Sequence, residues 1–121
     1  CLCGGVTFET VQPSHIDACH CSMCQKWAGG VFIGADYTRA DDVKLIKTDT
    51  LAWYESSEWA KRGFCKNCGS SLFYQPNGAN HLGIAAGCLD LPTSMTPAKH
   101  IYTADAGDYY AIPDDAPHVP D

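Results

Sequence analysis

Seven of the eight cysteines in this 121-residue chain fall into three tight groups: Cys1 and Cys3 in CLCGG, Cys19, Cys21 and Cys24 in CHCSMC, and Cys65 and Cys68 in FCKNCGSS. Thiols at such spacings suit a borderline-soft ion, zinc foremost, because a C-x-C or C-x-x-C pair presents two thiolate sulfurs to one tetrahedral centre. A disulfide framework would spread its cysteines along the chain. Clusters point instead to metal sites in a reducing compartment, so a cytoplasmic location is expected.

The strongest single signal is FCKNCGSSLFY, in which Gly69 lets the backbone turn after Cys68 and the amides of the knuckle can bond to sulfur. A structural zinc takes four ligands and this knuckle holds two. Cys1 and Cys3 are its natural partners, since all-cysteine tetrahedra commonly join two short pairs far apart in sequence.

The middle group is different, because it brings three thiols from one local stretch and leaves a fourth position. Alternation over His15–Cys21 sets Asp17, Cys19 and Cys21 on one side of an extended segment and Ile16, Ala18 and His20 on the other, with Cys24 one helical turn beyond. Two readings stand. Either Cys88, His20, His81 or His100 completes a second structural site, with His20 disfavoured by its alternation, or the position stays open, the arrangement of catalytic zinc. Zinc on three thiolates is a weak Lewis acid for activating water, but it favours an incoming thiol and lowers that thiol's pKa from about 8.5.

The elements that must position these thiols read as strands. Gly5–Thr10 alternates as a half-buried strand, and further candidates follow at Val31–Tyr37, Val43–Ile46, Leu51–Tyr54, Arg62–Cys65, Ser71–Gln75, His81–Ala86 and His100–Tyr102. This rhythm, broken by Asp, Pro, Asn and Gly, predicts antiparallel sheets. Ser22 is the candidate N-cap of one short helix that Gly29 and Gly30 stop. The tail from Pro113 is expected to wrap the surface or fray. Phe8, Phe32, Trp53, Phe64 and Phe73 sit at alternating positions and read as core, and Trp27 as an aromatic wall beside the metal loop. Residues 1–121 read as one domain.

Composition narrows the function. At 45% hydrophobic and 18% charged, with no apolar run near the roughly 20 residues of a membrane span, the chain has the make-up of a globular domain without a membrane partner. Its formal charge of −6 disfavours nucleic acid, and seven thiolates around two zinc ions would make it more negative.

CLCGGV near the start, CHCSMCQKWAG, FCKNCGSSLF, and GCLDLP followed by Pro97, His100 and IPDD together resemble the glutathione-dependent formaldehyde-activating enzyme family, which includes the centromere protein V type of domain. The resemblance spans nearly the whole chain, and the ordered set C-x-C, C-x-C-x-x-C and C-x-x-C-G is far more specific than its parts. It implies a mainly β fold of the β-tent type, with small antiparallel sheets pinned by zinc. It implies two zinc ions, a structural one on Cys1, Cys3, Cys65 and Cys68 and a catalytic one on Cys19, Cys21 and Cys24. It also implies addition of glutathione to formaldehyde, giving S-hydroxymethylglutathione. Gln25 stands where a basic residue is expected, and Tyr109 or Tyr110 where a Trp is. Lys26, Lys61 and Arg62 are candidates to pair with substrate carboxylates, and Tyr37, Tyr54, Trp53 and His81 to shape the pocket or move a proton. The alternative class is a zinc-stapled β domain that only binds a partner protein.

Overall fold

A computed structural model describes residues 1–121. The elements are β1 (Val6–Thr10), β2 (Ile16–Cys19), α1 (Ser22–Ala28), β3 (Phe32–Ala35), β4 (Val43–Thr48), β5 (Leu51–Tyr54), β6 (Ala60–Cys65), β7 (Ser71–Pro76), β8 (Gly83–Ala85), β9 (Pro97–Ile101) and β10 (His118–Val119). The fold is mainly β with one helix after the middle cysteines, consistent with a β-tent. β1 and β4 form a two-stranded antiparallel sheet, and the other strands form a second sheet in the order β10-β9-β2-β3-β8-β7-β6-β5. Most pairings are antiparallel, as the alternation predicts. Two are parallel, β2 with β9 and β9 with β10, so the tail from Pro113 ends as a paired strand. Parallel pairs arise between segments distant in sequence, and no turn signal announces them.

The main core gathers Val6, Cys65, Leu72, Phe73, Leu82 and Ile84. Phe73 is fully buried, with Phe8 edge-on at 5.4 Å and Trp53 stacked at 6.0 Å, whereas Phe8 and Trp53 are only partly buried. A second cluster joins Cys19, Cys24 and Phe32, flanked by Trp27, Ala85 and Ile101. β2 lies between β9 and β3, and all four of its residues are buried, Asp17 included. A strand covered on both faces normally carries no charge, so Asp17 needs a further reason.

Helix α1 starts one residue earlier than its sequence suggests. Its N-cap is Cys21, whose Sγ accepts from the Cys24 amide at 3.3 Å, and Ser22 is the first helical residue. A thiol takes the place that a hydroxyl usually fills. Gly29 closes the helix at φ 79°, its amide bonded to Gln25 O at 2.8 Å.

Candidate active site

Two groups of thiols come together. The sulfurs of Cys1, Cys3, Cys65 and Cys68 all lie within 4.8 Å of one another, as do those of Cys19, Cys21 and Cys24. On a tetrahedron of about 2.3 Å zinc–sulfur bonds, sulfurs stand about 3.8 Å apart. Cys1 and Cys3 Sγ are 3.7 Å apart and Cys3 and Cys65 Sγ 3.6 Å, so the first group already has the size of a zinc site.

Donors surround both groups. Val6 N approaches Cys1 Sγ at 3.2 Å, the Thr50 hydroxyl approaches Cys65 at 3.1 Å and the Ser70 hydroxyl approaches Cys68 at 3.2 Å. Hydrogen bonds to sulfur favour the charged form. They hold the Cys68 thiol down to about 6, Ser70 first, and lower Cys65 through Thr50. In the middle group Cys24 is lowered to about 5 by its hydrogen bond with Cys19 and by the Arg62 guanidinium, whose Nη1 lies 3.6 Å from the sulfur. Cys19 is pushed up by that same bond and by burial, and Cys21 by burial. The donor sets therefore fit metal ions at both places.

The middle thiols line a cavity of about 420 Å³, whose wall also includes Phe32, Tyr74, Trp59 and Ile101. Its buried cation is Arg62, 4% exposed, held by Ser56 Oγ at 3.2 Å and by the Tyr74 ring at 5.0 Å. Asp36, Tyr37 and His81 complete one side, and Tyr102 and Asp105 the rim.

The candidate fourth ligands lie elsewhere or stay apart from the sulfurs. Cys88 packs against the main core with its Sγ 4.0 Å from Ser71 O. His20 Nε2 meets His100 Nδ1 at 2.8 Å, His20 Nδ1 meets Tyr110 Oη at 2.7 Å, and His100 Nε2 reaches Asp114 at 2.9 Å. Those rings are occupied with one another, as alternation predicts for His20. His81 lines the cavity but does not join the thiols.

Among the other candidates, Arg62, Tyr37 and His81 belong to the cavity wall. Lys26 is exposed and Lys61 stands over Trp53 at 4.6 Å, so neither contributes to that wall. Trp53 packs in the core, and Tyr54 borders a shallow groove with Trp27. Trp27 meets Phe64 edge-on at 5.8 Å and is no wall of the thiol cavity. Sequence reasoning missed Asp36, Tyr74, Trp59 and Tyr102. The signal for Asp36 was present: two-residue periodicity sets it on the face of Phe32, whose register partner on β2 is Cys19.

Fold and site together define a β domain with one four-thiol cluster and one three-thiol cluster that opens into a cavity. The family model described as "Glutathione-dependent formaldehyde-activating enzyme" matches residues 1–105, and the chain belongs to that family. It is similar to a protein of Schizosaccharomyces pombe named as an uncharacterized lyase, 32% identical over 82 residues, which covers 66% of this chain and 58% of that protein. Two relatives carry the family's name: one from Podospora anserina, 34% identical over 60% of this chain and 36% of its own length, and one from Halomonas elongata, 26% identical over 93% and 78%. The chain thus spans little more than half of the Schizosaccharomyces pombe protein and about a third of the Podospora anserina protein. A crystal structure of a Rhodobacter sphaeroides protein shares the fold, with a TM-score of 0.61 at 24% identity over 75% of this chain and 85% of that one. No helix is long and apolar enough to cross a membrane.

Proposed function

We propose that this chain is a zinc-dependent carbon–sulfur lyase that reversibly adds a thiol, glutathione, to formaldehyde or a related small aldehyde, giving S-hydroxymethylglutathione. One observation carries the reading: Cys19, Cys21 and Cys24 converge on a cavity with no fourth ligand atom among them. Zinc on these three thiolates would supply affinity for sulfur and keep an incoming thiol ionised at neutral pH. Cys1, Cys3, Cys65 and Cys68 would hold a second, structural zinc that ties the N-terminal segment to the knuckle after β6.

The chain's own groups do the rest. Arg62 donates to Cys24 and offsets part of the negative charge that three thiolates concentrate in a half-apolar pocket. Phe32, Trp59, Tyr74 and Ile101 limit water, which competes with the thiol for an aldehyde carbon. Family membership supports the substrates.

X-ray absorption at the zinc edge tests the reading. An open middle site gives an average of about 3.5 sulfurs per zinc at rest and moves towards 4 when glutathione is added. A protein-interaction module with a completed second tetrahedron would show 4 throughout and ignore the thiol. That result would end the enzymatic reading.

A further inference from the structure

Asp36 is a charged group of the cavity wall for which the reaction above has no use. It follows β3 directly and turns its carboxyl into a niche between β3 and β8. Both floors of the niche are glycine. A Cβ on Gly34 or on Gly83 would lie 3.1 Å from Asp36 Oδ1, tighter than side chains normally pack, so the carboxyl sits there because neither residue has one. Glycine inside a strand weakens it and often marks a place where another group approaches closely.

The surroundings of Asp36 are charged on every side. Asp17 on β2 and Cys24 on α1 oppose its ionisation, while Arg62 on β6 and Lys99 on β9 favour it; Tyr74 on β7 and His81 share the cavity wall. Its neighbours act on it through charge and burial, with no hydrogen bond among the causes. Asp17, 1% exposed with its Oδ1 unpartnered and its Oδ2 3.5 Å from His15 Nε2, acts on Asp36 from the neighbouring strand β2.

We infer that Asp36 is the proton-transfer residue of this site, taking the proton from the substrate thiol and returning it to the carbonyl oxygen. The inference rests on the proposed thiol addition. The S–H proton passes to the Asp36 carboxylate; the sulfur lone pair forms the C–S bond; the C=O π pair moves to oxygen; and that oxygen takes the proton back from the Asp36 carboxyl. Atoms and charge balance without an oxidant or reductant, and the reverse sequence cleaves the adduct. Burial first, then Asp17 and Cys24, hold the carboxyl up at about 7, where it is half ionised at neutral pH and fit for both roles.

The test uses zinc-loaded protein, glutathione and carbon-13 formaldehyde, with exchange into the hydroxymethyl thioether followed by NMR from about pH 5.5 to 8.5 after subtraction of the uncatalysed rate. Wild type should show a limb near pH 7. Asp36→Asn should lose about 100-fold and the limb while retaining zinc and a cooperative thermal transition no lower than wild type's, and Asp36→Glu should recover part of the rate. A carbon-13 titration of the Asp36 side chain in substrate-free protein should have its midpoint near 7; a midpoint near 4 would overturn the assignment, as would a limb that survives in Asp36→Asn and vanishes in His81→Gln. An active wild type unaffected by Asp36→Asn refutes Asp36 alone. A wild type with no acceleration refutes the thiol addition, and the role of Asp36 with it.

Discussion

Gln25 stands where the resemblance leads us to expect a basic residue, and its side chain is fully engaged. Nε2 donates to His20 O at 2.7 Å and to Asp105 O at 2.9 Å, while Oε1 accepts from Tyr109 Oη at 2.7 Å. The amide therefore staples α1 to the segment that carries Asp105 and Tyr109, and no arm is left for substrate. A Cβ on Gly107 would collide with the Tyr109 ring, so the loop is shaped to bring that tyrosine to Gln25. A neutral hydrogen bond contributes about 1 kcal/mol net, and two of these three are exposed. Gln25→Ala should therefore cost about 2 kcal/mol, lowering the midpoint of thermal unfolding by roughly 5–8 °C in a domain this size. Gln25→Glu should be worse than Ala despite its closer shape, because a carboxylate oxygen would face two carbonyls that now receive donors. Calorimetry gives the order, and amide exchange across residues 103–110 shows whether the segment is released. An unchanged transition and unchanged protection in Gln25→Ala, or Gln25→Glu more stable than Gln25→Ala, would refute the staple.

Native mass spectrometry before any chelation should count two zinc ions per chain, and one ion would remove the catalytic half of the proposal. Cys65→Ser should unfold the chain or sharply lower its thermal stability, since metal binding in such sites contributes folding energy of order 10 kcal/mol, whereas Cys21→Ser should leave a folded, inactive protein; equal unfolding by both would make the middle site structural. Asp36 has a folded pKa of about 7, raised from 3.8, so its protonated form favours the fold at low pH and that contribution is lost as pH rises from about 4 to 7. Partial exposure reduces the full effect of about 1.4 kcal/mol per unit, and Asp36→Asn should stabilise by about 2 kcal/mol at pH 8 and by much less at pH 4 in denaturant titrations; equal effects at both would contradict the raised carboxyl. Gly83→Ala, whose Cβ would lie 3.1 Å from Asp36 Oδ1 and 3.2 Å from Tyr74 O, should lower activity more than Thr7→Ala on the separate β1–β4 sheet, as steady-state rates would show.

The thiol clusters were legible because metal ligation is a rule of type and spacing, and the sulfurs of each expected group lie within 4.8 Å of one another. Strand positions followed from alternation, with ends displaced by up to three residues, most at the start of β9, while β10 in the tail was not read as a strand. The helix N-cap was misread because Cys21 has no standing among capping residues, although its sulfur takes the amide of Cys24. Asp36 lay inside the strand candidate VFIGADY on the face of Phe32, and that reading gave its carboxyl no role. Its role depends on Gly83, 47 residues away, and on a strand order that local pattern does not reveal. Trp27 shares the helix face of Cys24 and packs beside that cluster, but its ring meets Phe64 edge-on and borders the shallow groove on that side, outside the thiol cavity.

The tie between Cys3 and Cys65 closes 62 residues, and that between His20 and Tyr110 closes 90. Contacts of this span raise contact order and slow folding, since loop-closure entropy is lost before the contact forms. During that interval Cys1 and Cys3, or Cys65 and Cys68, are near neighbours in sequence with no partner pair to share an ion. Metal captured by one pair would shorten the search for the other. Oxidation of either pair would leave the N-terminal segment with nothing to clasp. Yield on refolding should therefore depend on whether zinc and reductant are present while the chain collapses, even if both are restored afterwards.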